Sequence, residues 1–327
     1  MATNKSCDKA DFHWPSYKKA PRRLTPVQME ALSTGRLRPI LDYALADPEV
    51  RLDIRPAGAA NLYFDGGSLL QFEGGTRIPF RGIYNLGYVG ETGLHISKLV
   101  NEASVQRLVE SFPERREQMW LHRHAGKGRD ERRNQQAIAR ANDGQSLADA
   151  GDFVIVDIEY ANARRIFDLV GFDRAGLPNP RLVFVELKCR GGALTGKSGL
   201  RDHAIDYGEF LCAEGGRHVE IALRELSTMV RQKVELGLLS ADLGFEEFAL
   251  EQPELLVLFA DYDVCKRQLT LPLEQMRAEI ERRLGDLELL KFADLPRVDD
   301  GSTELLRLRR EQVMDSRAFD AYRERTH

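Results

Sequence analysis

The sequence predicts a mixed α/β (α+β) fold, in which a helix, three consecutive strands, further helices and a last strand build one mixed sheet flanked by helices. Two observations lead to this prediction. Apolar runs of strand length, joined by turn-rich connectors, cluster between residues 152 and 189, which indicates antiparallel strands. A near-continuous apolar run at residues 254–261 follows two helical segments, as is typical of a buried central strand.

Composition and charge limit the class of protein. The 327 residues are 43% hydrophobic and 30% charged, which is ordinary for a globular protein with more than one domain. No apolar run approaches the roughly 20 residues that span a bilayer, and the N-terminus lacks the apolar core of a signal peptide. The four cysteines form no Cys-x-x-Cys pair. We therefore expect a cytoplasmic protein with reduced thiols and no membrane partner.

Residues 1–105 predict a small α+β accessory domain. Residues 1–24 are polar and basic and contain proline, which indicates a loosely ordered arm. Thr25-Pro26 is typical of the start of a helix, and a second helix is expected at residues 37–45. Short strands of a meander follow, at residues 51–55, 61–64, 68–72 and 83–89.

Residues 106–295 contain the predicted core domain, and residues 296–327 are a charged C-terminal tail. Apolar spacing from Ile96 to Arg123 predicts two helices that are separated at Pro113, and a third helix is expected from Asp130 to Arg140. The remaining strands are predicted at residues 152–160, 165–172, 182–189 and 254–261. The remaining helices are predicted at residues 200–211, 219–239 and 273–284.

Three charged side chains interrupt two of these strands. Asp168 lies in the strand at residues 165–172, and Glu186 and Lys188 lie in the next strand. Glu186 and Lys188 are two residues apart, so both leave the same face, and the hairpin can place Asp168 beside them. Burying such charges costs several kcal/mol per ion unless they are paired or bind a metal. A structural salt bridge of Lys188 with one acid is the simplest alternative to a functional site.

Asp168 followed by Glu186-x-Lys188 on the next strand resembles the PD-(D/E)xK nuclease superfamily, whose restriction-endonuclease-like core has the order helix, three strands, helix, strand. The resemblance covers about residues 106–290. The proline of the family's Pro-Asp pair is absent, because Phe167 precedes Asp168. The resemblance implies a metal-dependent nuclease that hydrolyses phosphodiester bonds of nucleic acid, with DNA favoured over RNA as the substrate and with defence and repair both open as roles.

The resemblance also implies a role for each site residue. Asp168, Glu186 and the main-chain carbonyl of Leu187 would hold Mg²⁺, or Mn²⁺ in its place. Lys188 would orient or deprotonate the attacking water. Glu131, on the helix before the first strand, would be an auxiliary catalytic acid, with a solvated helix face as an equally good explanation.

Two further side chains are assigned auxiliary roles. An amide within about one turn of Glu131, Gln135 or Gln136, would face the same way, and Gln136 is our choice. Glu159, at the end of the first core strand, could support the site or pair with Arg165.

Basic residues near the site predict contacts with nucleic acid. Lys197, Arg201 and His203 follow the strand of Glu186 and could reach a substrate phosphate. The stretch from residue 115 to 140 is rich in arginine, although charged runs on helices are usually only solvated faces. Its members chosen as nucleic-acid contacts are Arg129, Arg132 and Arg133. A homodimer is also compatible with the chain, because cutting two strands often uses two copies of a site.

A rival motif occupies residues 191–198. Gly-Gly-Ala-Leu-Thr-Gly-Lys-Ser matches the P-loop pattern between a strand and a helix, and would make the chain an NTPase. The charges of Glu186 and Lys188 in the preceding strand, and the short turns between the upstream strands, count against it. The remaining alternative is a nuclease-like fold that binds nucleic acid or a partner without cutting.

Overall fold

The computed structural model describes residues 21–75, 79–89, 91, 93–122, 129–144, 151–162, 165–189, 192–295 and 303–325. These residues form two five-stranded sheets with helices packed on them. The mixed α/β class predicted from the sequence is therefore confirmed.

The first sheet is an antiparallel meander that follows two helices, α1 (Pro26–Ser33) and α2 (Arg38–Ala46). Thr25 and Gln28 form a reciprocal capping box at the start of α1, as the Thr25-Pro26 pair indicated. The strands follow in the order of the chain: β1 (Arg51–Arg55), β2 (Ala59–Phe64), β3 (Gly67–Glu73), β4 (Arg81–Asn85) and β5 (Leu94–Lys98).

The helix that apolar spacing predicted from residue 96 is wrong at its start, because residues 94–98 form β5. Ile96 pairs with Ile83 of β4 and remains 54% exposed, so this apolar side chain belongs to an edge strand and not to a helix face. The helices begin after Asn101, which caps the first of them. They are α3 (Glu102–Glu110), α4 (Phe112–Leu121) and α5 (Arg129–Ala141). Among the helices of the described residues, none combines the length and apolar character needed to cross a bilayer.

The second sheet contains β6 (Phe153–Asn162), β7 (Arg165–Asp173), β8 (Leu182–Cys189), β9 (Glu254–Ala260) and β10 (Leu290–Leu295), in the spatial order β10-β9-β8-β7-β6. Strands β6, β7 and β8 pair antiparallel, whereas β8, β9 and β10 are parallel. The helices α6 (Leu200–Cys212) and α7 (Arg217–Glu235) connect β8 to β9, and α8 (Thr270–Leu284) connects β9 to β10. Strand β10 was not predicted.

This topology places one end of β7 beside one end of β8, at the edge of the sheet that is formed by strand ends. The start of β7 and the carboxyl end of β8 lie side by side, because the two strands run in opposite directions. One face of β8 packs into the core that includes Phe210 of α6, and the other face packs with Ile138 of α5. Helices therefore cover both faces of the sheet next to this edge.

Buried charges join the two sheets through their edge strands. The interface charge cluster consists of Arg51, Asp53 and Arg55 of β1, Asp157 of β6 and Lys233 of α7, all at most 6% exposed. Lys233 Nζ donates to Asp53 Oδ1 at 2.5 Å and Arg55 Nη1 donates to Asp157 Oδ1 at 2.7 Å. The three cations also donate to main-chain carbonyls of β6. Because β6 is the last strand of its sheet in the described residues, the cations satisfy its edge carbonyls.

The N-terminal arm is only partly within the described structure, since residues 1–20 lie outside it. Arg22 is 4% exposed, pairs with Asp157 and donates to the carbonyl of Glu159 at 3.0 Å. The last residues of the predicted loose arm are thus packed against β6.

The C-terminal segment, residues 303–325, packs against the second sheet. It ends in α9 (Ser316–Arg325), whose buried Phe319 stacks on Phe292 of β10 with ring centroids 4.7 Å apart. Met314 and Phe292 exchange main-chain hydrogen bonds. Most charged side chains of this segment lie on its outer surface.

Candidate active site

The candidate site lies where β7 and β8 part. Their pairing ends at Leu169 and Val185, and the next residue of β7 is Asp168. Instead of continuing the strand ladder, the Asp168 carboxylate accepts the N–H of Leu187 on Oδ2 at 2.7 Å. The splayed strands thereby hold Asp168 next to the Glu186-x-Lys188 segment, which is the arrangement that the sequence pattern predicted.

Gln135 of α5 holds the second oxygen of Asp168. Its Nε2 donates to Oδ1 at 2.8 Å, and its side chain is buried, with 4% of the residue exposed. Gln136 instead accepts the N–H of Gly66 at 2.9 Å, in the turn between β2 and β3. The choice of Gln136 as the auxiliary amide is thus corrected to Gln135.

Glu186 and Lys188 form a buried ion pair with further partners. Lys188 Nζ donates to Glu186 Oε1 at 2.7 Å and to the carbonyl of Ser198 at 2.8 Å. His203 Nε2 lies 2.8 Å from the same oxygen, Oε1. His203, which was predicted to reach a phosphate, is thus a partner of Glu186. These contacts fix the loop before α6 and its first turn onto β8.

The site has an excess of negative potential around Asp168. Burial and the nearby charge of Glu186 raise the pKa of Asp168 well above its usual value, and Glu131 acts in the same direction. The Leu187 N–H and the Lys188 ammonium offset this only in part. A carboxyl in such a setting favours a proton or a cation, which is a common property of functional sites.

A neighbouring thiol experiences the same potential. Burial raises the pKa of the Cys189 thiol to about 11, with smaller contributions from Glu131, Asp168 and Asp261. Asp261 follows the carboxyl end of β9 with a φ of 51°, a conformation that non-glycine residues seldom adopt. In the sequence, Asp261 only ends the apolar run at residues 254–261, and nothing in its own neighbourhood links it to Asp168.

The oxygen donors of the site match a hard divalent cation. In a strand, the N–H and C=O of one residue point to the same side. The carbonyl of Leu187 therefore faces the same gap as its N–H, which binds Asp168. No three His, Cys, Asp or Glu side chains cluster as metal ligands in the described ranges. Two carboxylates and a carbonyl suit Mg²⁺, which usually retains waters and takes few protein ligands.

The other predicted side chains on α5 lie around the site with varied partners. Glu131 is exposed in the first turn of α5, close enough to influence Asp168. Arg132 Nε lies 3.3 Å from Glu159 Oε1, so Glu159 contacts α5. Arg133 donates to Asp65 at 2.8 Å and points to the turn between β2 and β3. The side chain of Arg129 lies outside the described residues.

The segment after β8 is only partly as predicted. Lys197 is exposed in a short 3-10 turn at Gly196–Ser198, and Arg201 binds Glu279 of α8. Residue 191, which begins the P-loop match, lies outside the described structure. Helix α6 begins at Leu200, after the Lys-Ser pair. A P-loop helix would begin at this pair to direct its amides at phosphates.

No family model, no curated protein and no solved structure matches this chain.

Proposed function

We propose that the chain is a metal-dependent phosphodiesterase acting on nucleic acid, with a core of the restriction-endonuclease-like type. The observation that carries this proposal is the pair of carboxylates at the parted strands, Asp168 and Glu186, with Lys188 bound to Glu186 at 2.7 Å. The order of α5, three antiparallel strands, two helices and a parallel strand supports it.

In this proposal, Asp168, Glu186 and the Leu187 carbonyl would hold Mg²⁺ or Mn²⁺. The ion would supply a water of lowered pKa and stabilise charge on the attacked phosphate. Gln135 and the Leu187 N–H keep both oxygens of Asp168 in place. Such fixed geometry matters because misplacement of a reacting group by about 1 Å can cost roughly 100-fold in rate.

Lys188 orients the attacking water and neutralises charge. An ammonium has three N–H donors, of which one binds Glu186 and another the Ser198 carbonyl. The third can donate to a water or to a phosphate oxygen. His203 holds the shared oxygen of Glu186 from the opposite element, α6. The ammonium and the imidazole therefore both direct Glu186 within the site.

The test combines metal binding with a substrate panel. Calorimetric titration with Mg²⁺ and Mn²⁺ is compared for the wild type, Glu186→Gln and Glu246→Gln, the last changing a surface carboxylate that is 88% exposed. The same proteins are incubated with single- and double-stranded DNA and RNA, with metal or EDTA. We expect Glu186→Gln alone to lose metal binding and at least about 100-fold in cleavage rate.

Each alternative gives a different pattern. Metal binding without cleavage of any substrate would support the fold that binds but does not cut. Nucleotide binding that is lost on changing Lys197 and kept in Glu186→Gln would support the NTPase. Unchanged cleavage by Glu186→Gln and by Lys188→Met would refute the proposed site.

A further inference from the structure

Three arginines surround one buried carboxylate between α6 and α8. Glu279 of α8 is 7% exposed and binds Arg201 of α6 through Oε1, with Nε and Nη2 at 3.1 and 2.9 Å. Its Oε2 accepts from Arg282 Nε and Nη2 at 3.0 and 2.5 Å and from Arg283 Nε at 3.4 Å. We call Arg201, Arg282 and Arg283 the α6–α8 arginine cluster.

The cluster contains more positive than negative charge. Its three guanidinium groups share the carboxylates of Glu279 and Glu209, with Arg283 Nη1 3.7 Å from Glu209 Oε1. Hydrogen bonds from Arg282 and Arg201 lower the pKa of Glu279 to about 2, so this carboxylate stays ionised at all ordinary pH values. One positive charge remains uncompensated within this group, and the exposed Lys197 before α6 adds another.

The arginines are fixed in place and still open to solvent. The side chains of Arg201 and Arg282 are 55% and 61% exposed, although each binds Glu279 through two N–H groups. A guanidinium has five N–H donors in a rigid fork that matches phosphate oxygens. Since Glu279 already orders both side chains, binding a phosphate would lose less side-chain entropy than it would with free arginines.

Two arginines of the basic stretch at residues 115–140 are compensated by acids. Arg116 pairs with both Asp47 and Glu49. Arg133 donates to Asp65. The basic stretch at residues 115–140 therefore offers less free positive charge than its composition suggests.

The cluster is adjacent to the site through the start of α6. Lys188 binds the carbonyl of Ser198 just before α6, and Glu186 binds His203 in its first turn. Arg201 lies between these two anchors in the chain. Residues two apart on a helix leave nearly opposite faces, so Arg201 points away from His203. A phosphodiester strand with one phosphate at Asp168 and Glu186 would pass over the start of α6 to place its following phosphates near α8.

We propose that the α6–α8 arginine cluster binds the phosphodiester backbone of the nucleic acid as it leaves the site. This inference rests on the proposed function, because the strand that it positions is the one to be cut. It assigns to Arg282 and Arg283 a role that the sequence did not indicate, and it assigns to Glu279 the role of ordering them.

The test measures binding without cleavage. Fluorescence anisotropy of a labelled DNA strand and its duplex is followed with the full chain in EDTA, from 50 to 300 mM NaCl as an approximate range chosen to resolve the salt slope. Arg201→Gln/Arg282→Gln is compared with Arg231→Gln, whose side chain is 47% exposed and pairs with Glu246. Arg201→Lys/Arg282→Lys keeps the charge and serves as the variant if the first does not fold.

We expect the double glutamine variant to bind about 10-fold or more weakly near 150 mM salt, on both DNA forms alike, and the slope of log K against log salt to fall by about 1 to 2. Arg231→Gln should match the wild type. The lysine variant should keep the slope and lose part of the affinity, since lysine lacks the planar fork.

The outcomes separate this inference from the proposed function. If the wild type cleaves while the double variant keeps its affinity and slope, the cluster proposal is wrong and the nuclease proposal stands. If binding depends on the cluster but no substrate is cleaved, the cluster proposal stands and the nuclease proposal is wrong. Absence of binding by the wild type, or equal competition by poly-glutamate of matched charge, would overturn the cluster proposal.

Discussion

Replacing Asp53 by asparagine is expected to destabilise the chain strongly, because this carboxylate compensates several buried cations. Arg51 Nε and Lys233 Nζ lie 2.9 and 2.5 Å from its oxygens, and Arg55 lies 3.8 Å away. Burial alone would raise the pKa of Asp53, but these three cations hold it well below its usual value. Removing one partner of a buried charge pair costs about 3–5 kcal/mol.

The Lys233→Met variant sets the scale for this prediction. Methionine keeps most of the side-chain volume, and Asp53 retains Arg51 and Arg55, so we expect a loss of about 1–3 kcal/mol. The double variant Asp53→Asn/Lys233→Met should lose at least about 1 kcal/mol less than the sum of the single losses, because the two side chains are in contact.

Equilibrium urea unfolding followed by circular dichroism measures these differences. The matched control is Asp42→Asn, whose carboxylate is 55% exposed and pairs with Arg38 on the surface of α2. Its free energy of unfolding should change by less than about 1 kcal/mol. Additive losses, or a loss below about 1 kcal/mol for Asp53→Asn, would show that the interface charge cluster does not join the sheets as described.

The stability that the Asp53 carboxylate contributes depends on pH in a definite direction. The folded pKa of Asp53 is below the unfolded value of 3.8. Its contribution to stability is therefore complete above about pH 4 and decreases as the pH falls through the folded pKa. The difference in stability between the wild type and Asp53→Asn should accordingly shrink in acid.

Three further predictions concern the second sheet. Asp168→Asn should abolish the stabilisation of about 2.7 kcal/mol expected at 100 times the Kd for Mg²⁺; an equal gain with Mg²⁺ in thermal unfolding would contradict this. Gly171→Ala would place its Cβ 2.2 Å from the main-chain oxygen of Val154. Urea unfolding should therefore show that the free energy of unfolding falls by about 3 kcal/mol or more. A fall below about 1 kcal/mol would contradict this prediction. Burial raises the pKa of Asp294 to about 6, although the hydrogen bond from the Tyr322 hydroxyl acts in the opposite direction. The wild type should therefore lose stability relative to Asp294→Asn as the pH rises from about 4 to 6. Parallel curves of unfolding free energy against pH for the two proteins would contradict this.

Much of the second sheet could be predicted from sequence, because its strands are apolar runs bounded by turns. Strand β5 could not, since Ile96, Leu99 and Val100 have helical spacing while only Leu99 is buried. Spacing shows a possible apolar face and does not show whether that face is covered. Strand β10 is a short run with two charged residues, Lys291 and Asp294, and it becomes a strand only through its pairing with β9.

The candidate site shows the same limit. Local spacing within one hairpin was enough to place Asp168 near Glu186. Local spacing could not predict which face of α5 points at the site, because Gln135 and Gln136 are both about one turn from Glu131. Only packing selects Gln135. Partners remote in the chain, such as the acids that neutralise arginines of α4 and α5, leave no local signal in the sequence.

The central claim is tested most directly by one comparison of rates. Cleavage of a DNA or RNA substrate is followed against Mg²⁺ concentration for the wild type, Glu186→Gln and the surface control Glu246→Gln. We expect cleavage by the wild type and the control that rises with Mg²⁺ and stops in EDTA, and a loss of at least about 100-fold in Glu186→Gln. Metal-independent cleavage, or equal rates in all three proteins, would contradict the account.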